Sequence, residues 1–408
     1  MRRPHYAWVV CLGTALMLFT VMGLGVNVFS LYQPYIIAQN GFTNAQGALI
    51  ITFRSLFILV GMATGAWMYL HAGLRVTAAL AIGLMTLSSF LFGLAASLPV
   101  YCLAGMLTGL GYSWGGMIPV SLLINGWFRD RQTFALGVGS MGSGAATILA
   151  PAPLTWLIEH VSLRCAFWAQ ALVCLVMGLV VWAIVRDAPA QLGLAPYTDG
   201  STSEASSPVQ QAPAGMTKSC RLMLLLAVFL MGPASSLGLS TLGLLYADEG
   251  YSPAVVAAMI SLIGLILMIV KPIYGQLVDR MGGRQSNYLI YAVALASYGF
   301  CLLAPTGSLP LAYASAVVYG CALPIGCMSL SVWARDCFGD EGFAQGLKWC
   351  QIMFASGNLV FGPVPGLLAD RFGSYLPTYW LFLWMMVFSM VLLCGVYLRT
   401  RAGSKPNH

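Results

Sequence analysis

The sequence predicts an all-α membrane protein of about twelve transmembrane helices in two pseudo-symmetric six-helix bundles, and three observations carry that prediction: composition, the spacing of apolar runs and the placement of cations. Of 408 residues, 59% are hydrophobic and 8% charged, and the mean hydropathy is +0.83. Such a chain has too little polar surface for water and belongs in lipid. Runs long enough to cross a ~30 Å hydrocarbon core fall at 6–34, 45–70, 75–96, 98–125, 133–157, 163–185, 222–245, 253–276, 286–305, 309–333, 342–368 and 376–398. They form two sets of six, within residues 1–185 and 222–398. Between them, 186–221 is rich in Ser, Ala, Pro and Gln, cannot bury enough apolar area to fold, and reads as a flexible cytoplasmic linker. Residues 399–408 form a cytoplasmic tail.

Cation placement sets the orientation. With the N-terminus inside, fourteen Lys and Arg fall in cytoplasmic segments and only Arg164 and Arg371 fall outside, the asymmetry expected when both termini face the cytoplasm of a cell (inner) membrane. An odd number of spans would spoil it. The net charge of +7 therefore reports topology and not a nucleic-acid partner. The first apolar run, Tyr6 to Tyr32, is roughly 27 residues, longer than the ~7–15 of a signal-peptide core, and reads as a retained span.

Internal repeats support the two halves. Phe128–Gly137, between spans 4 and 5, resembles Phe338–Gly346, between spans 10 and 11. Gly275-Gln-Leu-Val-Asp-Arg-Met-Gly282 after span 8 resembles Gly366-Leu-Leu-Ala-Asp-Arg-Phe-Gly373 after span 11, three helices later. A three-helix unit repeated four times is the sequence trace of a transporter built from nested repeats. Glycines 137, 139, 142 and 144 in span 5, followed by Pro151 and Pro153, suit close helix packing and bending.

The eleven cysteines lie almost entirely in apolar runs without CxxC spacing, and the four histidines sit at ends and loops. Neither pattern suits a disulfide framework, a metal centre or haem, so no cofactor is expected. No nucleophile–base pair suggests an enzyme.

All twelve acidic residues fall in loops or at span ends. A carrier of amines or metal cations is expected to bury an acid; here the buried sign is positive. Lys271 lies within span 8 before Pro272, where an ammonium costs at least ~2.5–3.5 kcal/mol on insertion scales. Water, carbonyls freed by the proline, loss of the proton or an anionic substrate can compensate for it. The alternative is a lysine that snorkels to the interface. Arg54 in span 2 reads either way, and Lys348 at the start of span 11 is the natural second clamp for a doubly charged substrate. Asn27, Tyr112, Tyr319 and Asn358 are candidates to hydrogen-bond a carboxylate, with ordinary helix–helix bonds as the alternative. Tyr112 and Tyr319 rank first because they occupy matching spans, 4 and 10.

The two halves, the central linker and the motif at 275–282 resemble the major facilitator superfamily over essentially the whole chain. In that family the motif is a cytoplasmic latch, which implies latch roles for Asp279, Arg280 and Arg284. Its copy after span 2, Gly65 to Arg75, lacks the Asp, which implies a weaker latch in the first half. Tyr6-Ala-Trp-Val-Val10, Trp127–Arg131 with Ala135–Gly139, Lys271-Pro-x-x-Gly275 and Gly373–Trp380 resemble the monocarboxylate transporters and the oxalate/formate antiporter group. The resemblance implies that Lys271, usually Arg there, contacts the substrate carboxylate. Animal monocarboxylate carriers also place an Asp four residues before this cation, where this chain has Leu267.

The expectation is a secondary transporter, functional as a monomer, that moves a monocarboxylate such as lactate, pyruvate or formate by proton symport or anion exchange. A dicarboxylate or oxalate antiporter using Lys271 with Lys348, an exporter of apolar drugs and a membrane anion sensor are the alternatives.

Overall fold

A computed structural model describes residues 5–129, 132–198 and 218–402. Among them, twelve helices are long and apolar enough to cross a membrane. In order, the spans are Tyr6–Asn40, Asn44–Ala72, Leu74–Leu94, Leu98–Trp127, Ala135–His160, Leu163–Ile184, Lys218–Asp248, Pro253–Val278, Arg280–Thr306, Leu309–Gly339, Gln345–Phe372 and Leu376–Arg399. Local chemistry explains the ends. Gly41 takes a left-handed φ of 62° to stop span 1, and Thr43 with Gln46 forms a reciprocal capping box that starts span 2.

Three features depart from the sequence reading. The middle of span 1, Phe19–Asn27, is a π-helix, a widened turn that hydropathy cannot register. The short loops expected between spans 8 and 9 and between spans 10 and 11 shrink to single left-handed glycines, Gly282 (φ 80°) and Gly339 (φ 68°), at which one helix turns directly into the next. The start of the linker is docked: the Trp127 indole donates to Arg186 O (2.8 Å), and Tyr197 N donates to Trp127 O (2.8 Å). Residues 199–217 of the linker lie outside the described residues.

The copy of the latch motif that lacks its acid has a substitute within its own half. Arg75 N, in the first turn of span 3, donates to the Asp187 carboxylate at the end of span 6, and the Arg75 side chain caps Trp182 O at 2.8 and 3.0 Å.

The halves meet along seams of glycine. A Cβ on Gly264 of span 8 would lie 2.6 Å from Thr147 of span 5, and Gly243 of span 7 rests on the Ser30 backbone of span 1. Gly362 and Gly366 of span 11 rest on Thr52 and Asn44 of span 2. At the end of the bundle away from the linker, the Asp370 carboxylate accepts from both Asn44 N and Ala45 N at 2.8 Å, and Tyr375 OH donates to Asn44 Oδ1 at 3.0 Å. The motif copy after span 11 therefore clasps the other half: its acid takes up the free amides of span 2's first turn, where the helix dipole favours negative charge. Since a solvent-exposed carboxylate at a helix N-terminus contributes about 0.3–1 kcal/mol, Asp370→Ala should speed labelling of a cysteine placed at Thr52 about two- to fivefold, read with an impermeant thiol reagent applied at this end. An unchanged rate would mean the glycine seam alone keeps this end shut.

Candidate functional site

Arg54 and Lys271 are the buried charged side chains among the described residues, 4% and 3% exposed. They belong to opposite halves. Each reaches across the interface to a serine of the other half. Arg54 donates from one terminal nitrogen to Ser240 Oγ of span 7 at 3.2 Å, while its Nε and other terminal nitrogen are buried without a partner. Its guanidinium also lies over the Phe29 ring, 5.4 Å from the centroid, a favourable cation–π placement. Lys271 Nζ donates to Ser143 Oγ at 2.9 Å and to Ser140 O at 3.3 Å, both in span 5.

The serines are set to accept. Ser143 Oγ donates its own proton to Ser140 O at 3.0 Å, and Ser240 Oγ donates to Ser236 O at 3.1 Å. With the hydroxyl proton committed to its own helix, each oxygen turns lone pairs toward the cation. Neutral partners of this kind lower the desolvation penalty of a buried charge but do not neutralise it.

Tyr112 lies within electrostatic reach of Arg54 and of Cys327, and Cys327 within reach of Lys271. Spans 2, 4, 8 and 10 all start at the clasped end. At 1.5 Å per residue, Arg54 stands roughly 15 Å, Tyr112 roughly 21 Å, and Lys271 and Cys327 roughly 27 Å below those starts. The groups form a polar column down the interface of the halves.

The other expected site residues distribute differently. Asn358 is buried with its Oδ1 unpartnered, one turn from Gly362 at the seam with span 2. Asn27 Nδ2 donates to Thr147 Oγ1 at 3.1 Å, a tie between spans 1 and 5 made where the π-helix ends. Tyr319 has its ring edge-on to Tyr298 at 6.0 Å and its hydroxyl beside Gly238 of span 7, buried and unpartnered. Lys348 and Arg280 are exposed, and Arg284 Nε donates to Tyr288 OH at 3.1 Å. The Asp279 side chain lies outside what is described. Sequence reading missed Ser140, Ser143, Ser240 and Cys327. Ser143 and Ser240 are distinguished by the cations they accept from across the interface, Ser140 by its carbonyl on Lys271, while the Cys327 thiol bonds within its own helix.

A sequence model of the family described as Major Facilitator Superfamily matches residues 14–349. Monocarboxylate transporter 12 of Rattus norvegicus is 25% identical over 325 residues, covering 72% of this chain, and the chain spans 65% of that relative's length. A probable hexose phosphate transport protein of Chlamydia trachomatis is 27% identical over 170 residues, 41% of this chain and 36% of that protein. Among solved structures, a peptide transporter superposes with a TM-score of 0.71 at 14% identity, covering 98% of this chain and 95% of the other.

Uncompensated burial makes opposite predictions for the two ends of one hydrogen bond. Lys271→Met, which keeps the length and removes the charge, should leave the melting temperature in detergent equal or higher. Ser143→Ala, which strands the ammonium, should lower stability by about 1–3 kcal/mol. Greater damage from Lys271→Met in a thermal melt without added anion would make the lysine a structural tie.

Proposed function

Because the chain belongs to the major facilitator superfamily, we propose that this transporter carries a small organic anion by alternating access, with Lys271 as the charge anchor and Tyr112 and Asn358 as hydrogen-bonding groups. One observation carries this reading: both buried charges are cations, on opposite halves, and no carboxylate is buried with them among the described residues. Each charge lacks a counter-ion, and burying it is unfavourable unless an anion arrives. The relatives are named for monocarboxylates and for hexose phosphate, and both are anions. A monocarboxylate such as lactate, pyruvate or formate is accordingly the first cargo to test. An exporter of apolar drugs would leave both cations unexplained.

A second reading, a dicarboxylate, is favoured by Arg54. Its two unpartnered nitrogens offer a planar fork suited to a carboxylate, whereas the exposed Lys348 has no comparable setting. The distribution of Lys and Arg supports a multi-pass protein with both termini in the cytoplasm, and the column lies within one chain, consistent with a working monomer.

Uptake of labelled lactate, pyruvate, formate and oxalate into proteoliposomes, beside an uncharged sugar and a cationic drug, tests the reading. Saturable uptake of a carboxylate should fall at least tenfold in Lys271→Ala. Arg54→Gln should impair oxalate more than pyruvate if the dicarboxylate reading holds. Transport of only the sugar or the drug, indifferent to Lys271, would overturn the assignment.

A further inference from the structure

We infer that Ser143 and Ser240 lock the unloaded carrier, so that transport proceeds by exchange of one anion for another and an empty carrier returns slowly. The inference rests on the anion reading above and adds its coupling mode. Four observations carry it.

The first is reciprocity. Arg54 of the N-terminal half is held by Ser240 of the C-terminal half, and Lys271 of the C-terminal half by Ser143 and Ser140 of the N-terminal half. Any rocking motion that separates span 2 from span 7 and span 5 from span 8 must break both sets. The second is the committed serine proton, which makes each hydroxyl a fixed acceptor for the cation opposite. The third is burial: Ser143 is fully buried and Ser240 is 2% exposed, so water does not readily replace the lost bonds. The fourth is the absence of a buried acid among the described residues, which leaves no internal counter-charge once the serines let go.

The loaded and empty proteins therefore face different barriers. In the empty protein, reorientation strips two cations of their acceptors inside a low-dielectric interface. A bound anion offers better acceptors than a serine hydroxyl, takes the cations over, and moves with a nearly neutral site. Only the loaded form crosses readily in either direction. One-for-one exchange follows, because an anion delivered on one side must be replaced by another before the carrier returns.

The test uses the full chain in proteoliposomes with labelled pyruvate and labelled oxalate as probes. Initial uptake is compared between vesicles preloaded with the same unlabelled anion and vesicles holding buffer, at equal pH and with an inward proton gradient. Exchange predicts at least tenfold faster uptake into preloaded vesicles and no recovery of that factor by the gradient. In the double variant Ser143→Ala with Ser240→Ala, the empty form is unlocked, and uptake into buffer-loaded vesicles should rise several-fold relative to exchange, bringing the ratio below about threefold. Ser143→Thr with Ser240→Thr, which keeps both hydroxyls, should preserve the wild-type ratio. Equal uptake into both kinds of vesicle, or a gradient that replaces preloading, overturns exchange while leaving the anion reading intact. An unchanged ratio in the alanine variant removes the serines from the lock. No carboxylate uptake under either condition overturns the anion reading, and exchange with it. Should the alanine variant fail to reconstitute, the wild-type ratio decides alone.

Discussion

Two cations buried in a membrane protein, with no buried acid among the described residues, constrain everything around them. The insertion cost of each is at least ~2.5–3.5 kcal/mol, and the chain meets it only in part, with Ser143 and Ser140 for Lys271 and with Ser240 and the Phe29 ring for Arg54. All of those groups lie near the seams between the halves. The charges are held well enough to fold and, on the proposed reading, poorly enough to attract an anion. Had the protein buried a carboxylate beside either cation, the pair would have satisfied itself and the interface would have lost its reason to bind.

The seams must therefore be tight and separable at once. Glycine supplies tightness, since backbones at Gly243, Gly264 and Gly366 approach the opposite half where any side chain would collide. Separability comes from the same residues: a glycine inserts no side chain of its own into the opposite half. The Asp370 clasp has the same character, two bonds to backbone amides at an exposed helix start, strong in geometry yet within reach of water. The Asp370 bonds are exposed to water, whereas the serines that hold the two cations are buried. On the proposed reading, this division assigns the choice of when to move to the contents of the site and leaves the exposed clasp to follow.

Much of the architecture was legible because membrane insertion acts on averages. Twelve apolar runs survive any local error, and most observed spans lie within a few residues of the expected ones. What hydropathy cannot see is backbone detail: the π-helix at Phe19–Asn27 has an ordinary apolar sequence, and Gly282 and Gly339 looked like the middles of short loops. At the site, Lys271 and Arg54 were legible as charges in the wrong solvent. Ser143 and Ser240 were not, because a serine in a span bonds to its own helix far more often than to a cation opposite, and only the pairing of distant segments separates the two. Tyr319 was singled out by symmetry of span number, which does not foretell its neighbours, Tyr298 and the backbone of span 7.

The two cations are also chemically unequal, and their positions suit the difference. Lys271 stands deeper from the clasp, where its compact ammonium reaches a hydroxyl and a carbonyl on one turn of span 5. A guanidinium there would present five donors to two acceptors and leave more of them stranded. Arg54 stands closer to the clasp, its planar face resting on Phe29 and one edge on Ser240, with two nitrogens still open. On the proposed reading, an anion arriving from the linker end would meet the flexible point charge first and the rigid fork last. Attraction precedes recognition along that path, and the group that demands the more exact geometry lies next to the seal that must open on the other side.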